Sequence, residues 1–335
     1  MINKAMIMAA GVGSRLDPLT KNVPKPLIPI ANKPLMDFIM EKLEECGIKE
    51  VIANTYCLAE QIQKRYTENN PTNIKFSYIQ EETLSGTAGG VKKCEFFFKD
   101  EENFLVMSGD GLTDINFDEL FESHESSGAV ATMALTYVPH SKTCNFGVVV
   151  VDGDGFVSEF QEKPPVEEAK SNLINTGIYV FRSDIFKLIP QGCFYDFAKN
   201  VFPSMLEKNI PINTYVIDGY WSDIGTISQY RQSSIDILNS HVNIGVSVED
   251  EHLIGDGSVL GDDVKLLGGN IIGRGCKVGK NVTLNNCILW DGSVIEDDVH
   301  LKGVIVVNGV VKKGTTAVDT VLYTAVDDNK KLMSC

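Results

Sequence analysis

The chain has 335 residues, which is enough for two domains whose hydrophobic cores need no disulfides. Its 30 Lys and Arg residues are outnumbered by 45 Asp and Glu residues, and the net charge of −15 disfavours general binding to nucleic-acid phosphates. Apolar residues make up 43% and charged residues 22%, which excludes a disordered or collagen-like chain.

The eight cysteines are dispersed, and no pair has the close spacing of a zinc or redox motif. We therefore expect reduced thiols in a cytoplasmic protein. The first apolar run, Ala5–Ala10, is too short for a signal-peptide core, and no later run approaches about 18 continuous apolar residues. The sequence predicts neither export nor a membrane span.

Short apolar runs alternate with amphipathic segments up to about residue 240. The first predicted strands are Ala5–Ala10, Val51–Asn54, Ile74–Ile79 and Phe104–Met107, and a helix is predicted from the spacing of Leu35, Phe38, Ile39, Leu43 and Cys46. Further strands are predicted around Val130–Val138, Gly147–Val151, Phe156–Phe160, Ile178–Phe181 and Ile212–Ile217, with helices at Phe197–Lys208 and Ile227–Leu238. This alternation is typical of a mostly parallel α/β sheet, whose ligands bind beyond the carboxyl ends of the strands.

A six-residue repeat begins after Asn243. Its apolar positions are Ile254, Leu260, Leu266, Ile272, Val278 and Leu284, followed after one slip by Leu289, Ile295, Leu301 and Val307. Gly follows directly at 255, 261, 273 and 279. This pattern predicts a parallel β-helix used as a structural rod, with homo-oligomer contacts on its surface. A catalytic β-helix with His300 as an acyltransferase histidine is the alternative.

The segment AAGVGSRLDPLTKNVPKP, residues 9–26, has the strongest chemical character. Backbone N–H groups around Gly11 and Gly13, with a helical turn from Ser14, predict an anion-binding loop after the first strand. Arg15 and Lys25 would supply cations to bound phosphates. The segment matches neither a P-loop nor the dinucleotide fingerprint.

This segment resembles the sugar-1-phosphate nucleotidylyltransferase family. The same likeness continues through LSGTAGG at 84–90, SGDGLTD at 108–114, EKP at 162–164, NTGIYV at 175–180 and GYWSDIGT at 219–226. Within the family, DFAKNVFP at 196–203 and YWSDIGTISQYRQ at 220–232 are most similar to the mannose-1-phosphate guanylyltransferase branch. The resemblance implies a Rossmann-like nucleotidyltransferase domain at 1–240, with a mixed, mostly parallel sheet, and a left-handed parallel β-helix at 241–335.

The resemblance also implies the site residues. Catalysis would depend on Arg15, Lys25, Asp110 and Asp223, with Mg²⁺ held by Asp110 and Asp223, two carboxylates of the kind that a hard cation needs beside phosphates and waters. The nucleotide would contact Ala10, Gly11, Gly13, Ser14, Arg15, Lys25, Gln80, Gly86, Thr87 and Asp110. The sugar phosphate would contact Gly147, Glu162, Lys163, Asn175 and Thr176.

The expected reaction is in-line displacement, in which a phosphate oxygen of the sugar 1-phosphate attacks the α-phosphorus of a nucleoside triphosphate and pyrophosphate leaves. A phosphate monoester is already anionic, so alignment and charge neutralisation suffice without a nucleophilic histidine. We favour GTP and mannose 1-phosphate, with thymidylyl or uridylyl transfer to glucose 1-phosphate as the alternative. A catalytically silent regulatory paralogue is an alternative of another class.

Overall fold

A computed structural model describes residues 2–323. The α-helices are α1 (Leu35–Glu45), α2 (Ala59–Glu68), α3 (Gly86–Lys93), α4 (Phe117–Ser127), α5 (Phe202–Glu207) and α6 (Ile227–Leu238), and a π-helix, Phe197–Val201, precedes α5. Short 3-10 helices are Ser14–Leu16, Lys25–Leu27, Glu95–Phe98, His140–Asn145, Val166–Glu168 and Ser183–Leu188.

The strands up to α6 are β1 (Lys4–Ala9), β2 (Pro29–Ile30), β3 (Lys33–Pro34), β4 (Glu50–Thr55), β5 (Lys75–Gln80), β6 (Asn103–Ser108), β7 (Gly111–Thr113), β8 (Ala131–Tyr137), β9 (Gly147–Val151), β10 (Val157–Glu162), β11 (Leu173–Arg182), β12 (Ile212–Val216) and β13 (Trp221–Asp223). Those after α6 are β14 (His252–Ile254), β15 (Val259–Leu260), β16 (Lys265–Leu267), β17 (Asn270–Ile272), β18 (Lys277–Val278), β19 (Thr283–Asn285), β20 (Ile288–Leu289), β21 (Val294–Ile295), β22 (His300–Lys302), β23 (Ile305–Val307), β24 (Val310–Val311), β25 (Thr316–Val318) and β26 (Val321–Tyr323).

The first compact unit comprises the described residues 2–12, 24–26 and 36–223 and is built on a nine-stranded mixed sheet. Its main path is β10-β9-β11-β6-β1-β4-β5, and β8 joins it by pairing with both β11 and β12. Strands β6, β1, β4 and β5 run parallel to one another, whereas β11 is antiparallel to its neighbours. The predicted α/β class is therefore confirmed.

Apolar side chains explain why these segments form the core of the first unit. Strand β1 buries Met6 and Ile7, and β6 buries a continuous run from Phe104 to Met107, as expected for strands covered on both faces. In α1, Phe38, Ile39 and Leu43 are buried, which confirms the predicted helical spacing.

Two predicted elements of this unit differ in detail. The predicted strand Ile178–Phe181 extends to Leu173–Arg182, because a bulge between Asn175 and Tyr179 interrupts the alternation that marks a strand in sequence. The predicted helix Phe197–Lys208 opens with the π-helix, where Asp196 accepts hydrogen bonds from the N–H groups of Ala198 and Lys199.

Among the described residues, the second compact unit comprises residues 13–23, 27–35 and 224–323. It contains the β2–β3 ribbon, α6 and three parallel sheets with the orders β14-β17-β20-β23-β26, β15-β18-β21-β24 and β16-β19-β22-β25. Such repeated parallel strands are consistent with the predicted β-helix. The division of the chain at residue 240 stays a prediction, since packing groups α6 with the later strands and residues 324–335 lie outside the described part.

Strand register explains the six-residue repeat. Leu266, Leu284 and Leu301 stack on one another in one sheet, and Val278 stacks on Ile295 in the next. The predicted slip between Leu284 and Leu289 is confirmed. A second slip follows, because Val306 and not Val307 pairs with Leu289, so the prediction of Val307 in this column is wrong. Coils of unequal length cause both slips.

The glycines of the repeat lie where successive coils approach most closely. A Cβ at Gly255 would lie 2.6 Å from the backbone nitrogen of Arg274, and one at Gly273 would lie 2.5 Å from that of Asp291. A side chain at these corners would separate the coils. The recurrence of Gly is thus a packing requirement of the stack.

Six cysteines carry free thiols: Cys46, Cys94, Cys144, Cys193, Cys276 and Cys287. Cys57 is disulfide-bonded, which differs from the expectation of reduced thiols. Cys335 lies outside the described residues. None of the described helices is long and apolar enough to span a membrane.

Candidate active site

A two-stranded antiparallel ladder joins two motifs that are far apart in the sequence. Strands β7 and β13 pair so that Asp223 lies opposite Gly111. At the other end of the ladder, the Tyr220 N–H donates a 2.6 Å hydrogen bond to Asp114 Oδ1. Because Asp110 directly precedes β7, the register brings Asp110 and Asp223, the two predicted metal ligands, to the same end of the ladder.

The side chain of Lys25 lies between these two carboxylates. Its ammonium contacts Asp110 and lies 3.6 Å from Asp223 Oδ1. The Lys25 side chain is 10% exposed, whereas each aspartate side chain is 29% exposed. The cluster therefore carries two negative charges and one positive charge, and solvent reaches its carboxylates more readily than its lysine.

This donor set fits a hard divalent cation. Within residues 2–323, no group of three or more His, Cys, Asp or Glu side chains is placed to hold a metal by itself. Mg²⁺, however, is usually held by one or two carboxylates while substrate phosphates and waters complete its octahedral shell. Asp110 and Asp223 supply that number of carboxylates, and the net negative charge of the cluster favours a cation.

The segment after β1 begins beside β6. The Gly109 N–H donates a 3.0 Å hydrogen bond to the carbonyl of Met8, and a Cβ at Gly109 would lie 3.1 Å from Ile7 Cγ2. Gly109 thus allows the ends of β1 and β6 to approach closely. Ala10 is buried, whereas Gly11 is exposed, and a Cβ at Gly11 would meet no atom within 4 Å. Space for a ligand is therefore available at Gly11.

The remainder of the predicted anion loop belongs to the second unit. Gly13 adopts a left-handed conformation with φ of 73°, and the 3-10 helix Ser14–Leu16 follows it. Leu16 is buried and anchors this turn, while Arg15 is exposed. The guanidinium of Arg15 makes no ion pair with any described residue. The predicted helical turn at Ser14 is confirmed as a 3-10 turn.

The predicted base-contacting segment is fixed at the start of α3. Gly86 has a left-handed φ of 77°, and a Cβ there would lie 2.4 Å from the carbonyl oxygen of Tyr195. The Thr87 hydroxyl donates to Asp196 at 2.9 Å and accepts from the N–H of Phe197 at 2.9 Å. Gln80 is exposed at the end of β5. Thr87 is exposed as well, so both predicted polar contacts are open to a ligand.

Gly147, Glu162 and Lys163 form one part of the predicted sugar-phosphate site. Gly147 of β9 pairs with Glu162 of β10, and a Cβ at Gly147 would lie 2.5 Å from Phe160 Cζ. Lys163 has a left-handed φ of 48°, and its N–H donates to the carbonyl of Phe146. Its ammonium lies 3.6 Å from Glu162 Oε1, and its side chain is 59% exposed. The lysine is therefore accessible to an anionic ligand.

Asn175 and Thr176 occupy the bulge of β11, and their side chains are held by the protein. The Asn175 amide donates to the Tyr179 hydroxyl at 2.8 Å and accepts from the Gly177 N–H at 3.0 Å. The buried Thr176 hydroxyl donates to the carbonyl of Ala134 at 2.7 Å. These contacts define the shape of the bulge.

Two features of this unit were not predicted from the sequence. The indole Nε1 of Trp221 is buried and has no hydrogen-bond partner among the residues that the structure describes, so this donor is unsatisfied. The sequence signal for Trp221 is its position in GYWSDIGT, two residues before Asp223. The second feature is a buried network of Asn54 and Glu81, for which a polar residue near the carboxyl end of the buried strand β4 was the signal.

Comparison with known proteins identifies the class. Residues 4–240 match the nucleotidyl transferase family, and the chain therefore belongs to it. The chain is 32% identical over 321 residues to a UTP–glucose-1-phosphate uridylyltransferase of Synechocystis sp., covering 86% of this chain and 82% of the relative. It is 29% identical over 289 residues to a mannose-1-phosphate guanylyltransferase of Mycobacterium tuberculosis, covering 85% and 79%.

A third relative, a glucose-1-phosphate adenylyltransferase of Desulfitobacterium hafniense, is 32% identical over 256 residues, covering 70% of this chain and 64% of the relative. The family reaction, transfer of a nucleoside monophosphate to a sugar 1-phosphate, is thus supported for this chain. The three named relatives use different bases, and the comparisons do not single out guanine or mannose.

Proposed function

We propose that this nucleotidyltransferase acts on GTP and mannose 1-phosphate and releases GDP-mannose and pyrophosphate. The observation that supports catalytic activity is the cluster of Lys25, Asp110 and Asp223 at one end of the β7–β13 ladder. A silent regulatory paralogue has no need for an accessible carboxylate pair held together by a buried lysine.

In this proposal, Asp110 and Asp223 would hold Mg²⁺, and the bound ion would neutralise charge on the triphosphate. Lys25 holds the two carboxylates together and offsets part of their mutual repulsion. The exposed guanidinium of Arg15 is suited to bidentate contact with phosphate oxygens. The family generally uses divalent metal ions, and the two-carboxylate donor set fits that chemistry.

The nucleophile needs orientation more than activation. A sugar 1-phosphate is anionic near neutral pH, so its phosphate oxygen can attack the α-phosphorus without prior proton removal. The exposed ammonium of Lys163 would hold that phosphate, while Glu162 accepts a hydrogen bond from a sugar hydroxyl. Alignment and charge neutralisation then supply the rate enhancement.

The choice of GTP and mannose 1-phosphate rests on the segments 196–203 and 220–232, which are most similar to the guanylyltransferase branch. UTP with glucose 1-phosphate is the second candidate, because the Synechocystis relative is 32% identical over 86% of this chain. Both candidates use the same carboxylates and cations. They differ in contacts to the base and to the sugar hydroxyls.

Pyrophosphate release with Mg²⁺ tests the proposal across GTP, UTP, dTTP, CTP and ATP, each paired with mannose 1-phosphate and with glucose 1-phosphate. We expect the largest kcat/KM for GTP with mannose 1-phosphate. A different preferred pair would contradict the proposed specificity while retaining the family reaction. Folded protein that is silent with every pair would favour the regulatory paralogue.

We also propose a homo-oligomer in the cytoplasm. Several apolar side chains of the parallel-strand region are exposed, among them Ile254, Val259, Val310 and Val318. Association of copies through these side chains would remove them from water. Light scattering coupled to size-exclusion chromatography measures the mass in solution, and a monomer at micromolar concentration would contradict the proposal.

A further inference from the structure

A buried carboxylate joins the two segments assigned to the nucleotide. Glu81 is 4% exposed, and its oxygens accept four hydrogen bonds. Oε1 accepts from the Asn54 amide at 2.6 Å. Oε2 accepts from the N–H and the hydroxyl of Ser85 and from the ammonium of Lys93. Glu81 therefore fixes the residue that directly precedes Gly86 and α3.

Asn54 extends this network to the phosphate-binding segment. It is 4% exposed on β4, and its Oδ1 accepts a 3.1 Å hydrogen bond from the N–H of Ala9. Ala9 ends β1 and precedes Ala10 and Gly11. One continuous chain of hydrogen bonds thus runs from the end of β1, through Asn54 and Glu81, to the start of α3.

The charge on Glu81 determines how Asn54 is oriented. Burial raises the pKa of Glu81, but hydrogen bonds from Ser85, Lys93 and Asn54 outweigh it, so the net pKa is below the ordinary value. A carboxylate only accepts hydrogen bonds, so it requires the NH₂ group of Asn54. The amide oxygen is then left to accept from Ala9. An amide at position 81 would remove this requirement.

We infer that Glu81 and Asn54 are positioning residues for the nucleoside triphosphate, because together they hold the end of β1 and the start of α3 in one fixed arrangement. The inference rests on the proposed function, which places the nucleotide at these segments. Neither side chain contacts the reacting atoms in this role. They instead hold in place the backbone segments that would contact the nucleotide. The residues assigned to the sugar phosphate are not part of this hydrogen-bond network.

The test is the steady-state kinetics of Glu81→Gln in the full chain, measured with the most active substrate pair of the wild type. We expect KM for the nucleoside triphosphate to rise about tenfold, while KM for the sugar 1-phosphate changes less than twofold. Equal changes in both constants, or no change in either, would overturn the inference.

Asp37→Asn provides a matched control. Asp37 is also a buried carboxylate, held by Arg65 and by the Tyr66 hydroxyl. Loss of the Asp37 charge should lower the melting temperature while leaving KM for the nucleoside triphosphate and KM for the sugar 1-phosphate within twofold of wild type. If Asp37→Asn also raised only the nucleotide KM, general destabilisation would explain the effect and the positioning role would be rejected.

Gly90→Ala tests the network without removing a polar group. A Cβ at Gly90 of α3 would lie 2.7 Å from Asn54 Nδ2 and 3.3 Å from Glu81 Oε1, so it should displace the Asn54 amide from its hydrogen bonds while α3 gains a better helix former. We expect a rise of at least threefold in the nucleotide KM. If Glu81→Gln fails to fold, Gly90→Ala becomes the deciding variant. An unchanged KM for the nucleoside triphosphate in Gly90→Ala would then overturn the inference.

A wild-type enzyme that is inactive with every pair would be a failure of the proposed function and not of the positioning role. In that case, calorimetric titration with GTP, UTP and ATP compares wild type with Gly90→Ala. Weaker binding by the variant would support the positioning role. Equal affinities, or no binding by the wild type, would overturn it.

Discussion

Asp110 and Asp223 converge on a single ammonium group, that of Lys25, although a long stretch of chain separates them. The β7–β13 ladder produces this convergence by pairing Gly111 with Asp223. The arrangement makes the three side chains interdependent, since removal of the lysine leaves two adjacent carboxylates without their shared counter-charge.

Asp110→Asn and Lys25→Ala should each lower kcat for pyrophosphate release by about 10²–10³-fold, the usual effect of losing one contact that stabilises transition-state charge. Circular dichroism should show folded protein. Asp262→Asn is the control, because its carboxylate forms an exposed pair with Lys280 on the parallel-strand region and should leave kcat unchanged. Wild-type turnover in either site variant would contradict the assignment.

Metal removal should abolish the reaction. Because two carboxylates alone hold Mg²⁺ weakly, we expect EDTA to stop pyrophosphate release and added Mg²⁺ to restore it. Asp223→Asn should need a higher Mg²⁺ concentration for half-maximal activity than wild type. Full activity of EDTA-treated, metal-free protein would exclude the metal role of the pair.

Gly86→Ala should destabilise the protein more than Gly128→Ala. Both glycines have left-handed φ angles, of 77° and 61°, so alanine carries a similar backbone cost of about 1–2 kcal/mol at each. Only Gly86 adds a clash, since its Cβ would lie 2.4 Å from Tyr195 O, whereas a Cβ at Gly128 meets nothing within 4 Å. Thermal denaturation compares the two, and equal melting temperatures would show that the contact with Tyr195 relaxes freely.

His124 should make stability depend on pH between about 6.5 and 4. Burial lowers the pKa of His124 to about 4, and both ring nitrogens hydrogen-bond, to Thr132 and Asn103. The unfolded state binds the extra proton in this window, so stability falls as the pH falls from 6.5 towards 4. The melting temperature of His124→Gln should fall less than that of the wild type as the pH is lowered from 6.5 to 4. Parallel curves for the variant and wild type would refute this contribution.

Leu284→Ala should destabilise the parallel-strand region by about 2–5 kcal/mol, because Leu284 is fully buried in the stacked apolar column and its loss leaves a cavity. Leu267→Ala is the matched control on a half-exposed side chain of a neighbouring strand and should change stability by about 0.5 kcal/mol or less. Urea denaturation of the full chain measures both. A comparable effect at Leu267 would mean that its surface is covered in solution.

Patterns local in sequence predicted much of this fold. The apolar runs at β1 and β6 and the six-residue repeat after Asn243 are periodic signals, and each identified its element. Pairing between distant segments leaves no periodic signal, so the β7–β13 ladder and the position of Lys25 between two carboxylates were beyond local reasoning. Glu81 was missed for a related reason: in the sequence it resembles a surface residue, and only the fold supplies its donors.

The stacked column also determines how this region can change in length. Positions 260, 278, 295 and 311 follow one another in register, in steps of 18, 17 and 16 residues. Differences of one or two residues between coils are absorbed without loss of register, whereas an insertion of several residues would shift every later apolar residue out of the column. A change of about one whole coil would leave the other coils in place. Evolutionary gain or loss of sequence here should therefore occur in units of 16 to 18 residues, which makes the region a modular spacer.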